Sequence, residues 1–230
     1  MESMEKELIL VLILGGLASL DSTEAFQSMW SQPLVSGPLI GWLWGDLKAG
    51  LLIGVLLQLL WLGYLPLGVA VFPDAGVGGI VGATAFLHLQ DQVIFDFYKV
   101  TLLILLFSLI VSYFSGWLIL KNRFWNVKLV HKVEKHLAQG RHKLNYYFCL
   151  ALLVSFSRGA LTALLGYLAV LFITELLAAR LAVIPDSFFD FLLPSVYGFG
   201  LASLFFFFGK LKNSPFLLGG AVLGLVVVLV

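Results

Sequence analysis

Residues 37–75 read GPLIGWLWGDLKAGLLIGVLLQLLWLGYLPLGVAVFPDA. The stretch is nearly all apolar, yet it carries Asp46, Lys48, Gln58 and Asp74. Gly41, Gly45, Gly50, Gly54, Gly63, Pro66, Gly68 and Pro73 interrupt it. A charged side chain near a bilayer centre costs at least ~2.5 kcal/mol on insertion scales. Irregular backbone at that depth is tolerated only where protein buries it or water reaches it. The two features together predict a polar solute site walled by discontinuous helices.

Composition sets the solvent. Of 230 residues, 60% are hydrophobic and 12% charged, against roughly 25% charged in a soluble domain. So much apolar surface implies lipid, and the predicted class is an all-α, polytopic integral membrane protein. The net charge of +1 gives no reason to expect nucleic acid. The lone cysteine, Cys149, excludes an internal disulfide and any cysteine metal cluster. At the N-terminus, Glu2, Glu5 and Glu7 outnumber Lys6 ahead of a short apolar run, 8–20. A signal peptide wants a positive start, so this segment is expected to belong to the mature chain.

A full span needs about 20 apolar residues, whereas 10–14 suggest a re-entrant or interfacial piece. Runs 8–20, 34–44 and 75–89 are short, and 49–72 is interrupted at Gly63 and Pro66. Runs 101–120, 146–174, 191–208 and 216–230 read as conventional spans, and 175–184 is too short to cross alone. The expected organisation is a membrane region with the solute site (1–120), a basic cytoplasmic loop (121–143) and a second membrane region (144–230). The loop holds seven of the fourteen basic residues, and such residues gather on the cytoplasmic side. Within it, Val130, Val133 and Leu137 form a helical stripe facing away from Lys132, Lys135 and His136. That pattern suits a helix on the inner leaflet or a docking surface for a cytoplasmic partner.

The candidate residues each carry two readings. Asp74, after Pro73, either caps the next helix or binds solute hydroxyls. Gln58, isolated in LLQLLWLG, either bonds a neighbouring helix or the solute. Asp46 and Lys48 fit a tight turn at the membrane surface. Asp21, Glu24 and Gln27 lie in an interfacial loop or at a polar hairpin tip that could contact a sugar. Arg158, in SFSRGA, needs a partner such as Asp74 or must snorkel. His88 reads as interfacial. No nucleotide, zinc or Ser-His-Asp motif is present, so no catalytic residue, metal or cofactor is expected.

Residues 25–81 resemble the IIC subunit of mannose/fructose/sorbose-class phosphotransferase-system transporters. The likeness rests on Pro33, Leu34, Gly41, Gly45, Asp46, Lys48 and Gly50, then Leu62–Gly63, then Pro73–Ala75. It implies an elevator-like carrier with re-entrant helices in the N-terminal half, a non-catalytic permease subunit of the bacterial inner membrane. It implies a hexose-type sugar near Asp74, Gln58, Gln27 and Asp21, with Pro66, Pro73, Gly63, Asp46, Lys48 and Arg158 shaping the backbone around it. It also implies assembly as multiple pairs with a IID membrane subunit, and cytoplasmic IIA and IIB proteins that carry the phosphoryl group. Gln58 stands where many family members have Glu, which keeps hydrogen bonding and removes a charge. Gln27 matches the family's glutamine only across a gap. A stand-alone ion-coupled carrier, using Asp74 or Asp46, and a regulatory subunit that no longer transports are the alternatives.

Overall fold

The computed structural model describes residues 2–63, 73–90, 97–140 and 142–208, with Pro215, Leu218 and Gly219. Pro66, the acidic pair Asp91 and Asp96, and most of the run 216–230 lie outside the described residues. Every regular element among the described residues is helical. In chain order they are α1 (Glu2–Thr23), α2 (Pro33–Trp44), α3 (Leu47–Trp61), α4 (Ala75–Leu89), α5 (Phe97–Ala138), α6 (Leu144–Leu181) and α7 (Leu192–Phe208). A short 3₁₀ turn, Asp186–Phe189, joins α6 to α7.

Three helical stretches are long and apolar enough to cross a membrane: Phe97–Ala138, Leu144–Ala178 and Asp186–Phe206. In contrast, α2, α3 and α4 have 12, 15 and 15 residues. At 1.5 Å per residue they are about 18–23 Å long, short of the roughly 30 Å of hydrocarbon. Of the three, α4 is nevertheless buried along nearly its whole length. Val77, Ile80, Val81, Ala83 and Ala85 of α4 are fully buried.

Small residues let these helices approach. A turn through Gly45, whose φ of +85° suits glycine, folds α3 back along α2. Gly37 and Gly41 of α2 then lie against Gly50 and Gly54 of α3. A Cβ on Gly37 would sit 2.6 Å from the carbonyl oxygen of Gly50 and 2.7 Å from Cα of Gly54. The same small-xxx-small device recurs twice. Gly15 and Ser19 of α1 meet Ala163 and Gly159 of α6, and Gly78 and Gly82 of α4 meet Ser112 and Ser108 of α5. Serine at such a crossing adds a hydroxyl that glycine lacks, and several of these hydroxyls reappear below.

Two expectations need correcting. The segment 121–143 is mostly not a loop: α5 runs unbroken to Ala138, and only Gln139–Lys143 connects it to α6. Lys, Glu and Leu are good helix formers, so charge ended the apolar run without ending the helix. Along this extension Val130 and Leu137 of the expected apolar stripe are exposed, and Leu129 is buried. Likewise α1 extends through the charged residues at both ends of run 8–20, and α6 absorbs much of 175–184.

The helical rise places the polar residues in depth. Lys99, near the start of α5, is buried and pairs with Asp186 at 2.7 Å. Lys121 lies with its ammonium 5.1 Å from the Trp117 ring centroid, a Trp–Lys pairing typical of a membrane boundary. These two lysines are about 33 Å apart along the helix, one hydrocarbon thickness. The rest of α5, 122–138, continues past this Trp–Lys pair.

Candidate solute site

The chain brings Asp21, Gln58 and Asp74 to one place, the segment Ser31–Leu34 that starts α2. Asp21 lies near the end of α1 and is buried. One carboxylate oxygen accepts from the backbone N–H and the hydroxyl of Ser28, both at 2.8 Å. The other accepts from the N–H of Ser31 at 3.1 Å and its hydroxyl at 2.8 Å. Four donors hold this carboxylate, and through it the loop that leads into α2.

Gln58 projects from the last turns of α3. Its Oε1 accepts from the N–H of Leu34 at 3.3 Å, one of the first-turn donors of α2 that have no partner inside the helix. Its Nε2 donates to Oε1 of Gln32 at 3.4 Å. Both bonds are long, and the amide–amide pair is half-buried.

Asp74 caps α4. Pro73 ends the preceding chain, and Oδ1 of Asp74 accepts from the N–H of Val77 at 3.2 Å. Its backbone is pinned to α5: its N–H donates to the carbonyl of Ser112, and the Ser112 hydroxyl donates back to its carbonyl at 2.7 Å. Oδ2 accepts from the Ser115 hydroxyl at 2.7 Å and faces Nη1 of Arg158 at 3.6 Å. Arg158 also reaches Oγ of Ser19 through Nη2 and Oγ of Ser115 through Nη1. One ion pair thus joins α1, α4, α5 and α6. Next to it, the Ser31 side chain lies against Gly76: a Cβ there would be 3.2 Å from Cβ of Ser31 and 3.4 Å from Oδ1 of Asp74. That contact links Asp74 to the segment that Asp21 holds.

The other predicted residues stand apart. Gln27 is exposed, and its side-chain amide donates to the carbonyl of Thr23 at 3.3 Å. Asp46 caps α3 through the N–H of Ala49 at 2.9 Å and accepts from Gln90 at 3.2 Å, at the far end of the α2–α3 hairpin. Lys48 beside it is exposed. Gly63 ends α3 near Ser203 of α7. No group of three or more metal-ligating side chains occurs among the described residues.

A second polar cluster had no signature in the sequence. Oε2 of Glu7 in α1 accepts from the Tyr167 hydroxyl of α6 and meets Nδ1 of His88 of α4, each at 2.8 Å. Tyr167 is fully buried. His88 is therefore tied into the bundle rather than lying free at an interface. The partners are 81 and 160 positions apart in sequence, and Glu7 belongs to an N-terminus that showed only mixed charge. The serines of the helix crossings, Ser19, Ser112 and Ser115, were equally silent, because a serine in an apolar run has no spacing to mark it.

Comparison with known proteins agrees with this architecture. A family model described as the sorbose-specific IIC component of the phosphotransferase system matches residues 6–227. A protein of Escherichia coli (strain K12) named N-acetylgalactosamine permease IIC component 2 is 40% identical over 85 residues, 36% of this chain and 63% of its own length. The mannose-specific EIIC component of the same strain is 35% identical over 82 residues, 35% of this chain and 30% of its own. The match therefore spans less than two thirds of either relative. Among solved structures, the mannose transporter ManYZ in complex with microcin E492 superposes with a TM-score of 0.59 at 23% identity, covering 95% of this chain and 85% of that one. The fold is shared across nearly the whole chain, and the family model covers almost all of it. This membrane protein belongs to the family of sorbose-specific IIC components of the phosphotransferase system.

Proposed function

We propose that the chain is the sugar-translocating IIC subunit of a phosphoenolpyruvate-dependent phosphotransferase system, carrying a hexose-type sugar across the bacterial inner membrane. The observation that carries this reading is the convergence of Asp21, Gln58 and Asp74 on the start of α2. Family membership supports it, as do the names of relatives that transport mannose and N-acetylgalactosamine.

The three residues divide the work. Asp21 and Asp74 are saturated by protein donors, so they hold the walls. Gln58 and Gln32 share a long, half-buried amide contact that a sugar hydroxyl can replace without leaving an unpaired group. Solute contact therefore falls on Gln58, Gln32 and the α2 N-terminus. Gln27, exposed on the neighbouring loop, adds an amide from outside. Transport in this reading is an elevator-like movement of the short, re-entrant helices, with Gly63 and Pro66, which follow α3 in the sequence, as its hinge positions.

The partners are a IID membrane subunit, in multiple IIC–IID pairs, and cytoplasmic IIA and IIB phosphocarriers. The 121–143 extension lies on the cytoplasmic side because of its basic residues. The ion-coupled alternative needs a carboxylate free to take up an ion, but Asp74 is matched by Arg158 and Asp46 by a helix cap and Gln90. Uptake of labelled hexose by cells carrying the whole system tests the proposal. Uptake is expected to require phosphoenolpyruvate and to vanish when this chain is deleted. Gradient-driven transport by the purified chain alone in liposomes would instead establish the ion-coupled carrier.

A further inference from the structure

At the height where α5 leaves the membrane boundary, α1, α5 and α6 form a polar cluster separate from the site at α2. Asn122 is only 7% exposed. Its Nδ2 donates to Oε1 of Glu24 at 3.0 Å and to Oγ of Ser155 at 2.6 Å. One turn further along α5, Nδ2 of Asn126 reaches the same Glu24 oxygen at 3.5 Å. Ser19 donates to the carbonyl of Ser155 at 2.9 Å, and Arg158 lies one turn beyond Ser155.

The cluster is incomplete in one direction. Oδ1 of Asn122 and Oδ1 of Asn126 are both buried and accept no hydrogen bond from any described residue. The amide orientations are fixed, because Glu24 needs the nitrogens toward it. Each amide oxygen shares a carbon with its nitrogen, so the two open acceptors flank the Glu24 carboxylate. A buried acceptor without a donor costs about 1–3 kcal/mol. The missing group must therefore donate. An ionised carboxylate cannot serve such acceptors; the O–H of a sugar or of water can.

The loop bordering the cluster carries a related sign. Phe26, Gln27 and Met29, none of them glycine, have φ of +68°, +48° and +64°. Left-handed backbone at three non-glycine positions costs free energy and persists where the surroundings impose it. This loop starts at Glu24 and is anchored by Asp21.

We propose that Glu24, Asn122 and Asn126 form a second binding site for the hydroxyl groups of a neutral sugar, at the face of the membrane where the α5 extension emerges. This inference rests on the sugar-carrier reading above. It adds a waiting position on the basic side, about 10–17 Å along α5 from Ser115 and the Asp74–Arg158 pair. A sugar leaving the α2 site passes it before reaching the aqueous phase.

Inside-out vesicles from cells carrying the whole system expose this face. Equilibrium binding of radiolabelled mannose, fructose, sorbose and N-acetylgalactosamine is measured without phosphoenolpyruvate, for wild type and for Asn126→Leu and Asn126→Ser. The expected result is about tenfold weaker binding of the preferred sugar by both variants, the loss of one hydrogen bond. Thermal stability is expected to hold or rise, because an open acceptor has been removed. Unchanged binding by either folded variant would assign the acceptors to ordered water and overturn the second site. Absence of binding by wild type to all four sugars would overturn the carrier reading and this site with it.

Discussion

The front helices, α1–α4, and the back helices, α5–α7, solve the same problem in opposite ways. The back is built from long apolar helices whose outer faces carry large exposed side chains such as Ile110, Phe114, Leu161, Leu165 and Phe172. The front adds to α1 three helices too short to cross, and α4 is buried along nearly its whole length. Lipid gives no hydrophobic drive between helices, so the front relies on backbone contact at paired glycines and on buried hydrogen bonds. The hydroxyls and charges that hold the short helices come largely from the long ones, as with Ser112, Ser115 and Arg158 around Asp74. The same economy that lets α2 and α3 touch also leaves room for Gln58 and Asp74 at the α2 start.

The largest test of this contrast is Arg158, which ties front to back. Arg158→Met leaves the Asp74 carboxylate buried without its counter-charge, a loss of about 3–5 kcal/mol. Thermal melting in detergent is expected to fall sharply, and adding Asp74→Asn to recover part of it. Equal melting of the single and double variants would show that the pair does not join the two regions. Next is Gly50→Ala, whose Cβ would lie 2.5 Å from the carbonyl oxygen of Gly37. Backbone faces it on both sides, so a cost of about 1–3 kcal/mol or more is expected. Gly198→Ala in α7 is the counterpart, with nothing within 4 Å of the new Cβ, and its expected effect is neutral to slightly stabilising. Similar losses at both glycines would erase the distinction between front and back. A smaller loss than at Gly50 is expected of Tyr167→Phe, which removes one of two hydrogen bonds to Glu7. It is expected to cost about 1 kcal/mol, read as a modest drop in melting temperature.

How far the sequence foretold this arrangement depends on the kind of signal. The turn at Gly45 and the Pro73–Asp74 cap were legible because each is local, whereas Gly41, Gly50 and Gly54 read as interruptions and are in fact helical contacts. The short front helices followed from the lengths of apolar runs. The continuation of α5 past Lys121 was not legible, because hydropathy marks where lipid ends and says nothing of where a helix ends. The Asp74–Arg158 pair could be posed as one option among several, since two lone opposite charges in apolar runs need partners. Glu7 with His88 and Tyr167, and Glu24 with Asn122 and Asn126, join residues far apart in the chain and of ordinary type. Only the fold brings them together.

The central claim is that the α2 start, held by Asp21, Gln58 and Asp74, is where the sugar is bound. Phosphoenolpyruvate-dependent uptake of labelled hexose by cells carrying Gln58→Ala tests it most directly, with the amount of chain in the membrane measured alongside. The account predicts uptake reduced about tenfold or more at unchanged membrane levels. Uptake equal to wild type at equal membrane levels would contradict it.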